Sequence, residues 1–264
     1  MIYFVATPIG NLEEITLRAI NVLKESDVIF CEDTRHSSVL LNHLGIKAPL
    51  KSYHKFNEAK SCEYILQIAN EGKTVSVISD AGMPVISDPG RILVNACVEA
   101  GVEYCVVSGA CAGVNAFVCS GFEAPFVFVG FLPEKNTERD ALLDKIVSAG
   151  SLVFYVAPHD LNENLAYLAK KLGENRRVAI CKELTKLHEK IIHTTLGEAQ
   201  MQDVKGEYVI VVEKNDATQN SLNQLSIQEH VEFYIKNGLA KMDAIKAVAK
   251  DRGVSKNEIY KALL

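Results

Sequence analysis

The chain of 264 residues lacks the positive charge of a protein that coats itself in nucleic acid. Its 28 Lys and Arg stand against 33 Asp and Glu, a formal net charge of −5, so any contact with nucleic acid must be local. It also lacks a disulfide or zinc framework. The 7 cysteines, at 31, 62, 97, 105, 111, 119 and 181, are odd in number and form no Cys-x-x-Cys pair, which points to a reducing, cytoplasmic setting. No His/Cys/carboxylate set shows ligand spacing, so no metal is expected. A basic leader is missing: the apolar run from Met1 stops at Pro8, too short for a secretory signal. The uncharged stretch from Tyr104 to Phe122 contains Ser108, Gly109, Asn115, Ser120 and Gly121, and reads as strand, Gly loop and buried helix rather than as a membrane span. Neither G-x-G-x-x-G nor G-x-x-x-x-G-K-[ST] occurs, which disfavours a nucleotide phosphate as ligand.

What is present is the composition of a folded protein, with 48% hydrophobic and 23% charged residues. Apolar strand-like runs at Ile2–Ala6, Asp27–Cys31, Thr74–Ser79 and Glu103–Val107 alternate with helical patterns from Thr16, near Ser37–Leu44, from Pro89 and near Ala112–Cys119. That alternation predicts an α/β domain over 1–122, built on a parallel sheet covered on both faces. Over 123–213 strands outnumber helices: Phe126–Val129, Leu152–Val156, Val178–Cys181, Ile191–Thr195 and Tyr208–Glu213, with helices at Arg139–Ala149, after His159 and near Leu196–Gln202. This predicts an α+β domain with a mixed sheet. The polar run 214–221 reads as a linker, and 222–264 as a small helical domain.

Three Gly-bearing loops should meet at the carboxyl ends of the parallel strands: Thr7-Pro-Ile-Gly10, Ser79-Asp-Ala-Gly-Met-Pro-Val-Ile-Ser-Asp-Pro-Gly90 and Ser108-Gly-Ala110. Open α/β sheets bind ligands there, because strand ends and helix N-termini expose backbone N–H groups. A structural alternative stands beside this, with Asp88 an N-cap preceding proline at N1 and Asp80-Ala-Gly82 a tight turn.

Taken in order, Thr7-Pro-Ile-Gly-Asn-Leu12, Cys31-Glu-Asp-Thr-Arg35, Asp80–Gly90, Gly130-Phe-Leu-Pro133, Tyr155-Val-Ala-Pro-His159, Glu183-Leu-Thr-Lys-Leu-His-Glu189 and Lys205-Gly-Glu207 resemble the small-subunit rRNA (cytidine-2′-O)-methyltransferases of bacteria. These form a branch of the tetrapyrrole methylase superfamily. The resemblance covers essentially the whole chain. It implies a two-domain fold with a helical C-terminal extension, usually a homodimer, that binds S-adenosylmethionine between the domains and methylates a cytidine ribose in the decoding region of 16S rRNA, naked or in the small ribosomal subunit. The cofactor-binding positions carried over are Pro8, Asp80, Gly82, Met83, Pro84, Ile86, Ser108, Gly109, Ala110, Phe131 and Leu184. Met83, Ser108, Cys111, Val156 and Asp160 depart from the usual residues of that branch.

Methyl transfer from a sulfonium requires an acceptor hydroxyl held in line and an outlet for its proton. Asp33, His36, Asp80, His159, Glu183, Lys186 and His188 could receive it, with Asp33, Glu183, Lys186 and His188 the catalytic candidates. Each has a plainer reading: Asp33 with Arg35 a surface ion pair, Lys186 or His188 a solvated side chain. Arg35, His36 and His159 are candidates for RNA contact.

From Lys236 onward the chain carries seven basic residues against three acidic ones, an excess of +4, leaving −9 on the rest. Helix, Gly253 turn and helix then resemble a nucleic-acid-binding hairpin, with Lys246, Lys250, Lys256 and Lys261 offered to phosphate; the alternative is a helical pair that packs. Two other functions use the same features. A tetrapyrrole C-methyltransferase would explain neither the basic tail nor Cys31–Arg35, and a nucleic-acid-binding adaptor would show no cofactor binding.

Overall fold

Four-residue runs such as Ile2-Tyr-Phe-Val5 and Val75-Ser-Val-Ile78 bury nearly every side chain, as strands covered on both faces must. In the computed structural model they belong to a five-stranded parallel sheet. The structure describes residues 1–202, 204–214, 225–252 and 254–263; the side chain of Lys250, Gly253 and most of the expected 214–221 linker lie outside the described residues. The described residues form two compact units, Met1–Glu213 and Lys214–Leu264.

In the larger unit the first sheet joins β1 (Ile2–Val5), β2 (Val28–Cys31), β3 (Leu50–Ser52), β4 (Val75–Ile78) and β5 (Tyr104–Val107) in the order β3-β2-β4-β1-β5, every pair parallel. One face is covered by α1 (Leu17–Glu25) and α2 (Thr34–His43), which set Ala19, Leu23 and Leu41 against Val5, Ile29 and Ile78. The other is covered by α3 (Glu58–Asn70) and α4 (Arg91–Ala100), with Ile65, Leu93 and Cys97 against Phe4, Phe30 and Val77. Burying each such aliphatic or aromatic side chain contributes roughly 1.5–3 kcal/mol. Because all five strands run the same way, the loops after β1, β2, β4 and β5 leave from one edge.

The second sheet has the order β6-β7-β10-β8-β9, from β6 (Phe126–Phe131), β7 (Ser151–Val156), β8 (Arg177–Lys182), β9 (Lys190–Thr195) and β10 (Tyr208–Val212). Only β6 and β7 pair in parallel; β10 is antiparallel to β7 and β8, and β9 to β8, so the sheet is mixed. α6 (Asn136–Ile146) and α7 (Leu161–Leu172) cover one face. The other is covered by α5 (Ala112–Ser120), which follows β5 in sequence yet packs Ala116 against Val153, Ala179 and Val211. A Cβ at Gly113 would lie 2.8 Å from the Phe128 ring, so glycine sets how closely this helix approaches the sheet.

Leu196–Gln202, expected as a short helix, is a turn instead. Its amides are already engaged: Leu196 N donates to Arg176 O at 2.8 Å, Gly197 N to Glu174 O at 2.8 Å, and Met201 N to Asn162 Oδ1 at 3.0 Å.

The described residues of the smaller unit form α8 (Ile227–Lys236), α9 (Lys241–Asp251) and α10 (Lys256–Ala262) around Val231, Ile245, Val248 and Ile259. Ser226 and Glu229 form a capping box at the start of α8, and Ser255 caps α10. His230, fully buried, places Nε2 3.3 Å from Asp251 Oδ2 and Nδ1 3.2 Å from Arg252 Nε.

Candidate active site

Two of the three expected loops are tied together by a short bridge. Thr7 N donates to Gly82 O at 2.9 Å and Gly82 N to Thr7 O at 3.1 Å, while Ser79 Oγ donates to Gly82 O at 3.0 Å. Gly82 sits at φ +81°, where a Cβ would be 3.1 Å from Ile9 Cγ2, so a branched side chain there is both strained and crowded. The third loop lies behind: a Cβ on Gly109 would be 2.8 Å from that of Ala6, and Ala110 O backs onto Gly82.

Above the bridge, between the two sheets, is a cavity of about 440 Å³. Asp80, Gly82, Met83 and Ile86 line it from the first sheet's side, Phe131 and Leu184 from the second. Of the other positions expected at the cofactor, Pro84 is buried outside its lining, Ser108, Gly109 and Ala110 do not reach it, and Pro8 lines a neighbouring cleft.

Glu32, Asp88 and Tyr155 also line the cavity, and none of them is among the expected cofactor or catalytic positions. Glu32 directly follows β2, inside the Cys31–Arg35 motif, which is its one signal. The alternative reading of Asp88 as a helix cap does not hold, because Gly90 occupies the cap position of α4, and Asp88 lines the cavity. Burial, then the charges of Glu32 and Asp80, push its carboxyl up to about 7. Glu32 is likewise raised, by burial and then Asp80. Tyr155 OH accepts from Gly113 N at 3.2 Å at the start of α5.

Backbone strain is concentrated at this rim. Among the described residues the non-glycine positions with positive φ are Val85 (76°), Ser87 (71°), Glu183 (51°) and Thr185 (68°), in the two segments that face the cavity from opposite sheets. Such conformations cost of order 1–3 kcal/mol each and persist where surrounding structure enforces them, commonly at ligand sites.

The proton-accepting candidates separate clearly. Asp33 is engaged by Arg35 at 2.7 Å, which holds its carboxyl at about 2, far too low for a base near neutrality. Glu183 Oε1 accepts from Glu207 N at 2.8 Å and Lys186 Nζ at 2.9 Å, and these bonds lower its pKa. Burial would lower Lys186, but the hydrogen bonds to Glu183 and Glu207 outweigh it and raise the pKa, so this ammonium keeps its proton. His188 is exposed in the loop between β8 and β9. His159, four-fifths exposed, faces Asp160 at 3.4 Å, and Arg35 projects into solvent. Asp80 differs from all of them: one carboxylate oxygen accepts from Asp33 N at 3.1 Å, and the residue lines both the cavity and the neighbouring cleft, whose wall also includes His36. In the smaller unit Lys256 and Lys261 are exposed, and Lys246 pairs with Asp243 at 2.8 Å.

The cavity combines four carboxyls, those of Glu32, Asp80, Asp88 and Glu207, with apolar walls, a set of acceptors suited to a cation bearing a flat, apolar-faced group. Among the described residues no group of three or more His, Cys, Asp or Glu is arranged to hold a metal, and no helix is long and apolar enough to cross a membrane.

Residues 1–200 match the family model described as Tetrapyrrole (Corrin/Porphyrin) Methylases. The chain is similar to the Halalkalibacterium halodurans protein named Ribosomal RNA small subunit methyltransferase I, at 43% identity over 98% of this chain and 93% of that one. The Bacillus subtilis protein of the same name is 39% identical over 99% of this chain and 93% of its own length. A solved structure of Thermus thermophilus uroporphyrin-III C-methyltransferase, complexed with S-adenyl homocysteine, is similar with a TM-score of 0.55 at 19% identity, covering 80% of this chain and 96% of that one. This last is a likeness of fold.

Proposed function

The chain belongs to the tetrapyrrole methylase family, and on that premise we propose that it is an S-adenosylmethionine-dependent methyltransferase acting on the 2′-oxygen of a cytidine in the decoding region of 16S rRNA. The observation that carries the reading is the 43% identity, spanning nearly both chains, to a relative named for small-subunit rRNA methylation.

The residues fit the cofactor. S-adenosylmethionine carries a sulfonium and an ammonium against one carboxylate, a net cation, and the cavity presents Glu32, Asp80 and Asp88. Adenine needs apolar walls, and Ile86, Phe131, Tyr155 and Leu184 supply them. The strained 82–87 segment lets backbone approach closely where a side chain would intrude. When bound, the cofactor supplies a methyl group on positively charged sulfur. The chain positions and excludes water, which for an in-line transfer is worth more than any acid or base. Asp80, shared by cavity and cleft, accepts the proton of the acceptor hydroxyl; Lys186, Glu183 and Asp33 do not.

The substrate reading places the protein in the cytoplasm, where ribosomal subunits assemble. A homodimer is supported by the outward face of α5, where Val114 and Val118 are exposed one helical turn apart. Incubating the full chain with isotopically labelled S-adenosylmethionine and small subunits that lack ribose methylation should transfer label to 16S rRNA, with or without chelator when the RNA is prefolded. Label on protein, on base carbon or on no RNA would reject the reading.

A further inference from the structure

A second cleft, of about 280 Å³, lies beside the cofactor cavity and shares Ile9, Asp80, Ala81 and Glu207 with it as a common wall. Resting on the methyltransferase reading above, we infer that this cleft is the subsite for the acceptor nucleoside: one unstacked cytidine, its base and ribose inside and its phosphates outside.

The first argument is position. In-line transfer needs the acceptor oxygen next to the donor but outside the donor's own cavity, and a neighbouring cleft reached across Asp80 meets that condition. Size is the second. At about 280 Å³ the cleft stands at the lower end of small-ligand sites, enough for a single nucleoside and too little for a stretch of strand. An enzyme acting on a nucleotide draws it out of its stack into such a pocket.

The lining sets the chemistry. Pro8, Ile9, Leu12 and Val39 give an apolar shelf on which a base face can rest, and His36 and Ser37 give a hydrogen-bonding edge. Lys186 is the cation of the wall, but its ammonium is held between Glu183 at 2.9 Å and Glu207 at 3.2 Å. With Asp80 alongside, the cleft has no positive excess to draw a phosphate inward. It offers carboxylate acceptors to donors instead. Cytosine carries an exocyclic amine that a carboxylate accepts from, and uracil presents a carbonyl at the same place.

The wall is also rigid. Glu183 and Thr185 hold their positive φ, and a Cβ on Gly10 would lie 2.5 Å from Lys186 Cγ and 2.8 Å from Thr185 Oγ1. The Gly10 loop and the 183–186 segment therefore meet with no room to spare, which holds the stem of Lys186 in place before any substrate arrives.

The test uses the full chain, S-adenosylmethionine binding by calorimetry, steady-state methylation of small subunits, and photocrosslinking of RNA carrying a thio-pyrimidine at the methylated position, without cofactor. Val39 is 65% exposed, so Val39→Glu should fold while placing a charge on the shelf. It and His36→Ala should raise the apparent KM for subunits about tenfold or more, the effect of a lost stacking or edge contact, and leave the cofactor Kd within about twofold. Crosslinked peptides should map to 7–12 or 36–40, and a cytidine-to-uridine change at the target should weaken binding. Crosslinks elsewhere, or normal kinetics in both variants while the wild type methylates rRNA, would overturn the subsite alone. A wild type that binds S-adenosylmethionine and methylates no RNA would overturn the reading beneath it as well.

Discussion

The carboxylate of Glu58, at the start of α3, accepts a hydrogen bond from the amide of Gly90 at 2.8 Å. The same oxygen accepts from Ile92 N at 3.0 Å and Tyr53 OH at 3.0 Å, and Glu58 is buried. An acidic side chain from one helix thus caps the next and anchors the end of the 80–90 loop that floors the cofactor cavity. Glu58→Ala strands buried donors and should cost about 2–4 kcal/mol in chemical denaturation. It should also weaken S-adenosylmethionine binding, whereas Glu58→Gln should lose less of both. Unchanged stability in Glu58→Ala would contradict the capping role.

Gly82→Val should abolish cofactor binding without unfolding the protein. The substitution forces a branched residue to φ +81° and sets its Cβ 3.1 Å from Ile9 at the edge of the cavity. Calorimetry showing wild-type affinity would mean that the bound cofactor does not lie against this segment.

Asp88 should make cofactor binding pH-dependent. Its carboxyl is pushed up to about 7, by burial first and then by Glu32 and Asp80, and only its charged form attracts a cation. Cofactor affinity should therefore rise from about pH 6 to about pH 8, with proton release on binding near neutrality. In the free protein the sign is opposite: a raised folded-state pKa gives stability present at low pH and lost as pH rises through about 7. Asp88→Asn should flatten the affinity profile. A flat wild-type profile would sink the assignment.

His230 should make the helical unit sensitive to acid. Burial, then the Arg252 charge, hold its pKa below the usual value, against the opposing pull of Asp251, whose carboxylate is also bound by Tyr234. A lowered folded-state pKa means stability that is present above the unfolded value and lost as pH falls below about 6.5. Amide exchange over 225–263 should quicken between about pH 7.5 and 5.5, while exchange in the first sheet does not respond to this group. Exchange independent of pH after correction for its chemical rate would contradict this.

Lys246, Lys256 and Lys261 belong to the unit Lys214–Leu264 and to the sequence's one basic excess. Since Met1–Glu213 is compact by itself and holds the whole cavity, a 1–213 fragment should bind S-adenosylmethionine normally. It should methylate subunits with a raised apparent KM and a shallower salt dependence, and reversing the three charges should reproduce the defect. Identical kinetics across salt would show that these helices take no part in holding RNA.

Apart from Leu50–Ser52, the strands of both sheets were legible because nearly all are short apolar runs, and the convergence of the first two loops followed from parallel strands ending on one edge. Leu50–Ser52 and Glu58–Asn70 were not anticipated. The former is a three-residue edge strand with two exposed side chains, too short and polar to carry a period. The latter begins after Asn57, a residue type that marks helix starts in sequence, though here its side chain bonds to His54 N rather than capping the helix. Of the site, Asp80, Gly82, Met83, Ile86, Phe131 and Leu184 were legible from the motifs. The carboxyls of Glu32 and Asp88 were not, because their role arises only when strands distant in sequence bring them to one cavity. The Ser108–Ala110 loop ends at the right edge but is held behind Gly82 by close packing of Gly109 on Ala6.

Ribose methylation in 16S rRNA is to be mapped by mass spectrometry in cells lacking the protein, complemented with wild type, Asp80→Asn or Gly82→Val. A single 2′-O-methylcytidine in the decoding region should disappear with the protein, return with the wild type and fail to return with either variant. An unchanged methylation map in the deletion, or full restoration by both variants, would contradict the proposed function.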